Sequence, residues 1–150
     1  MLLSGGDGYY SREITIEDTQ FKLRELEDAE TLAADEKAAR VDALQEEANR
    51  LFERNKKQSL PEKDRDRLRE LGRLNVVALG EFIDCVVSHG VVGWSLQEQC
   101  TPANVVRLPR RVKAQLSKAI LQDTNYTSGL TKEEADFLAS SSADSPAANQ

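Results

Sequence analysis

From Asp28 to Asn55 the chain has no glycine and no proline, and Ala, Glu, Leu, Arg, Lys and Gln dominate it. These residues lose little rotamer freedom in a helix, so the stretch reads as one long helical rod. Val41, Leu44, Ala48 and Leu51 recur at three- and four-residue steps, with Phe52 beside them. That is one apolar stripe on a polar cylinder, and a stripe needs something to lie against. The early part, Ala29 to Ala39, is Ala-rich and only weakly apolar, with little to anchor it. At Ser59-Leu60-Pro61-Glu62 the rod closes. Ser59 is placed to cap, Pro61 suits a first helical turn, and Glu62 stands where a capping-box partner belongs. A second helix is expected from Pro61 to Ser88. Its first half alternates in sign, Lys63-Asp64-Arg65-Asp66-Arg67. Its second half is apolar on several faces, through Leu74, Val76, Val77, Leu79, Phe82, Ile83, Val86 and Val87. A helix apolar most of the way round belongs at the centre of a bundle or of an assembly. Gly90, after His89, is the expected left-handed cap.

Around these rods lie shorter elements. Ile14 and Ile16, then Phe21 and Leu23, fall at period two, with Glu17-Asp18-Thr19-Gln20 as the turn between them. This predicts a hairpin with one apolar face. A lone hairpin is marginal in water, so it must lean on a helix or join another chain's strands. Val91 to Gln99 reads as a connector holding Trp94. Thr101-Pro102 starts a helical turn as a cap followed by proline, and Leu108-Pro109 breaks and restarts it. A third helix is expected over Arg110 to Gln122 with Val112, Leu116, Ala119 and Ile120 inward. Thr131 to Glu134 is a second capping box, for a short helix ending near Ala139. The predicted fold class is mainly α, a helical bundle with a short N-terminal β-hairpin. Residues 1–11 read as a flexible arm, 12–139 as the helical domain and 140–150 as a disordered tail.

Charge is unevenly spread. The 150 residues carry a net charge of -6. Glu13 to Glu47 holds twelve acids against four bases, while Arg107 to Lys118 holds five bases and no acid. An acidic and a basic surface on one protomer can pair head to tail; the plainer use of such charges is as solvated helix faces with i,i+4 pairs. The acidic balance argues against nucleic-acid binding as the main task. The apolar stretch from Leu74 to Trp94 is interrupted by Asn75, Glu81, Asp84 and His89 and is no membrane span; Met1 to Gly6 lack the basic and apolar regions of a signal peptide.

Catalysis needs a base near a nucleophile, or a metal held by several ligands. There is one histidine, His89, and at a helix end its ring suits the last carbonyls. Cys85 and His89 have the i,i+4 spacing of two metal ligands, but only Cys100 and scattered carboxylates are left to complete a site. Two cysteines make no disulfide framework and read as buried thiols of a reducing compartment. Trp94 serves either as a core anchor or as an interface handle. The expectation is a protein that is not an enzyme, needs no cofactor or metal, and works by adhesion. Its partner-binding residues are expected to be Val41, Leu44, Leu51, Phe52 and Trp94.

Three stretches together resemble the tail assembly chaperones of long-tailed bacteriophages. They are Ser11 to Ile16 with Phe21-Lys22-Leu23-Arg24-Glu25-Leu26, then Val91-Val92-Gly93-Trp94, then Cys100-Thr101-Pro102-Ala103-Asn104-Val105-Val106-Arg107-Leu108-Pro109. The third is similar to a Thr-Pro-Glu-Asn-Val segment that precedes a Leu-Pro step, with Ala103 in place of the acid. The resemblance covers residues 11–122. It implies binding of the tape-measure protein, promotion of tail-tube polymerisation around it, self-association, and action in the host cell cytoplasm. A structural virion component, such as a head-tail adaptor or a minor capsid or tail protein, is the alternative.

Overall fold

A computed structural model describes residues 12–124. The arm at 1–11, the short helix expected to start at Thr131 and the tail at 140–150 lie outside the described residues. The protein is mainly α, with a small antiparallel sheet at its N-terminal end. In chain order the elements are β1 (Arg12–Ile16), β2 (Thr19–Leu23), α1 (Asp28–Lys57), α2 (Glu62–Gly90), β3 (Val91–Trp94), α3 (Pro102–Val105) and α4 (Arg110–Thr124).

The hairpin turn is tighter than the four-residue turn expected from the sequence. Only Glu17 and Asp18 connect β1 to β2, with φ of 50° and 69°. Two left-handed residues give the turn whose twist matches that of the flanking strands. Asp tolerates this conformation better than Glu. Arg111 of α4 holds Glu17 from outside, with Nε and Nη2 donating to its two carboxylate oxygens at 2.7 and 2.8 Å. At the other end of β1, Arg12 Nε donates to Asp123 Oδ2 at 2.9 Å. The hairpin is thereby tied to both ends of α4.

A third strand follows α2 directly, where a connector was expected. Phe21 pairs with Trp94, Lys22 with Gly93 and Leu23 with Val91, with a bulge between Lys22 and Leu23. The strand order is β1-β2-β3. The Phe21 and Trp94 rings meet edge to face at a centroid distance of 6.3 Å, a favoured aromatic arrangement.

Helix α2 is the axis of the core, packing against α1, α3, α4 and β3. Its buried residues Leu71, Ala78, Leu79, Phe82, Ile83, Val86 and Val87 face inward on more than one side. Against it α1 lays Ala34, Ala38, Val41, Leu44 and Leu51. The Ala-rich start of α1 is therefore anchored, contrary to expectation. Ala34 and Ala38 are buried because small side chains let the two backbones approach. At the N-terminus of α1, the Glu27 N–H donates to Glu30 Oε1 at 2.9 Å, and Arg24 pairs with the same carboxylate.

The turn between α1 and α2 departs from the capping reading. No side chain caps α2; it begins at Glu62, and the Pro61 carbonyl accepts from the Asp64 and Arg65 N–H groups. Thr101 does cap α3, with its hydroxyl accepting from Asn104 N–H at 3.2 Å. Val112, Leu116, Ala119 and Ile120 of α4 are buried as the spacing predicts.

Gly90 is not a left-handed cap. It is the last residue of α2, and a Cβ there would lie 2.5 to 2.8 Å from three side-chain atoms of Ile120. Contacts that short do not occur, so glycine serves here for close approach of α2 to α4.

Two bidentate pairs that join separate elements make stability depend on pH, beside a third, Arg73 with Glu70, within α2. Arg67 donates to both Glu47 oxygens at 2.7 and 2.9 Å, bridging α2 to α1. The hydrogen bond from Arg67 holds the Glu47 carboxyl below its ordinary value, and Arg111 does the same for Glu17. A carboxylate whose folded pKa is depressed stabilises the fold above its unfolded pKa. That contribution is lost as pH falls through the lower, folded value. The denaturant midpoint is therefore expected to drop on acidification through the carboxylate range, modestly because both pairs are exposed. Glu47→Gln should lower the midpoint at neutral pH and flatten this drop; an unchanged acid limb would show that the pair contributes nothing.

Candidate interaction surface

Among the described residues four large apolar side chains stand exposed: Leu32, Phe52, Val76 and Val77. The last two are adjacent on α2 and are 57% and 50% exposed. Val76, Gly80 and Asp84 follow at four-residue steps, as do Val77 and Glu81, so one strip of helix carries them. With Ile83 of α2 and Arg110 and Lys113 of α4 they line a groove of about 400 Å³.

The groove has a fixed charged wall. Lys113 Nζ donates to Asp84 Oδ1 at 2.7 Å and to the Val106 carbonyl at 2.8 Å. The side chain is largely buried, at 14% exposure. The Arg110 guanidinium lies over Gly80, with Nη1 3.7 Å from where a Cβ would stand. An apolar floor between two packed helices, rimmed by Glu81 and Asp84 as well as Arg110 and Lys113, suits the apolar face of an amphipathic helix.

The sequence-predicted residues do not form one surface. Val41, Leu44 and Leu51 are spent on the packing of α1 against α2, at 0%, 6% and 4% exposure. They present nothing to a partner while that packing holds. Phe52 is exposed beside them on α1. Trp94 is half-buried: its ring packs on Phe21 and its Nε1–H donates to the Glu98 carbonyl at 2.7 Å. It also lines a separate hollow of about 240 Å³ with Leu96, Asn104, Arg107 and Pro109. Both readings of this tryptophan thus have a physical basis. Sequence reasoning placed Val76 and Val77 in the apolar half of α2 without singling them out. The available signal was that α2 carries more apolar positions than one core-facing stripe needs.

The chemistry-bearing residues are held by the backbone. His89 Nδ1 lies 2.9 Å from the Cys85 carbonyl oxygen, which the Ser88 hydroxyl also donates to, at 3.1 Å. Burial pushes the Cys85 and Cys100 thiols up, away from reactive thiolate character. Both are half-buried rather than fully buried. Among the described residues no three of His, Cys, Asp and Glu converge as a metal site would require, and no helix is long and apolar enough to cross a membrane.

Comparison with family models, with curated proteins and with solved structures finds no match for this chain.

Proposed function

We propose that the protein is a tail assembly chaperone of a long-tailed bacteriophage, which binds the tape-measure protein in the host cytoplasm and promotes tail-tube assembly around it. The reading rests on the resemblance of residues 11–122, and the observation that carries its mechanism is the exposed apolar Val76–Val77 groove between α2 and α4. A tape-measure protein is long, helical and apolar, and would aggregate if left uncovered. The groove receives one apolar helix face of it, while the charged exterior of α1 and α2 keeps the complex in solution. No covalent step is needed.

The test is co-expression with the tape-measure protein of the same genome. Val76→Asp and Val77→Asp, singly, are expected to leave the helical circular-dichroism signal unchanged and to lower the soluble tape-measure protein at least tenfold. Two folded variants that solubilise it as wild type does would remove the groove from the mechanism. Mass spectrometry of purified particles tests the function itself. A chaperone is absent, whereas a fixed copy number would make this chain a structural component of the virion.

A further inference from the structure

The sheet has an open side. Ile16 and Thr19 flank the two-residue turn and so exchange the hydrogen bonds that close it. Alternation along an antiparallel pair then points the backbone groups of Ile14 and Arg12 toward β2 and those of Glu13 and Thr15 away from it. The same parity holds across the sheet. Gln20, paired with Thr15, uses its carbonyl to accept from Ser95 N–H at 3.0 Å, and Arg24 N–H donates to the Gly90 carbonyl at 2.9 Å. β1 is outermost, and among the described residues no hydrogen bond reaches the outward N–H and C=O groups of Glu13 and Thr15. Both residues are exposed, and Ile14 between them is half-buried.

We infer that β1 pairs antiparallel with β1 of a second copy of this chain, on a two-fold axis through Ile14, joining two three-stranded sheets into one. The strand's own charges fit a second copy in one register. An outward residue must face an outward residue for the ladder to form. Glu13 opposite Glu13 of the second copy sets like charges together. Thr15 opposite Thr15 brings Glu13 against Glu17. Only Glu13 opposite Thr15 avoids both, and it does so twice by symmetry, for four main-chain hydrogen bonds. It also sets Arg12 of one copy across from Ile16 of the other, so no like charges face each other along the paired strands. Ile14 meets its own copy at the axis and covers its exposed half. The contact is isologous and closed, and both otherwise open edges are used. This inference is independent of the proposed function.

Sedimentation of the full chain across a range of concentrations reads the dimer. Thr15→Pro removes an N–H that the hairpin does not use, at an edge position where proline is tolerated. It is expected to leave the circular-dichroism spectrum intact and to raise the dimer dissociation constant about tenfold or more. Ile14→Cys is the second, independent test. At the axis the two Cα atoms stand about 4.5 Å apart, within disulfide range. Oxidation should therefore cross-link Ile14→Cys, and should do so much faster than Glu13→Cys, whose copies lie diagonally about 7–8 Å apart. A wild-type chain that stays monomeric at all concentrations overturns the inference. So does a dimer that Ile14→Cys does not cross-link, including one formed through another face or an edge that takes only a strand from a different protein.

Discussion

Leu44→Asp is expected to unfold the protein. Leu44 is 6% exposed on the face of α1 that packs on α2, within the same core as Val41, Leu51 and Phe82. Truncation to alanine at such a site costs about 2–5 kcal/mol. Aspartate adds the desolvation of a carboxylate in an apolar core, so the total should exceed about 4 kcal/mol, a large fraction of a typical domain's stability. Leu51→Asp, at 4% exposure, should behave alike. Urea titration followed by circular dichroism is the measurement. Val76→Asp is the control, because an exposed substitution there should stay within about 0.5 kcal/mol of wild type. A Leu44→Asp chain with a wild-type midpoint would mean that α1 does not pack on α2 as described. Loss of partner binding in Leu44→Asp thus reports on the core, whereas exposed positions such as Val76 and Val77 separate binding from folding.

That contrast shows which features the sequence made legible. The three-and-four spacing on α1 identified Val41, Leu44 and Leu51 as one face, and they are one face. Periodicity states that a face is apolar; it does not state whether the same chain or another covers it. The second helix of this chain covers it, and the excess apolar positions on that helix, Val76 and Val77, are left in solvent. The hairpin and the inward set of α4 were readable because their signals are local. β3 was not. Its four residues include Gly93 and follow a helix with no intervening turn, and its pairing partner lies some seventy positions earlier. Gly90 was misread for the same reason: the residue that demands a glycine there, Ile120, lies on another helix.

Gly90 also carries the most discriminating test of the packing. Gly90→Ala sets two effects against each other. Alanine favours a helix over glycine by about 1 kcal/mol in an interior position, and by less at a last residue. Against that, the new Cβ would stand within 2.8 Å of three atoms of Ile120, which has no exposed surface and no free direction to retreat. Overpacking of this kind costs about 1–3 kcal/mol, so destabilisation wins. The strain spreads beyond the contact, because the Gly90 carbonyl accepts the Arg24 N–H and its successor Val91 opens β3. Displacing Gly90 therefore pulls on the sheet as well as on α4. Ile120→Ala removes the colliding atoms. Alone it should cost about 2–5 kcal/mol as a cavity, yet in its background Gly90→Ala should become neutral or slightly stabilising. The four denaturant midpoints of this cycle give the coupling directly. Equal effects of Gly90→Ala in both backgrounds would mean that the two helices do not meet at this point, and the placement of the sheet on α2 and α4 would fall with it.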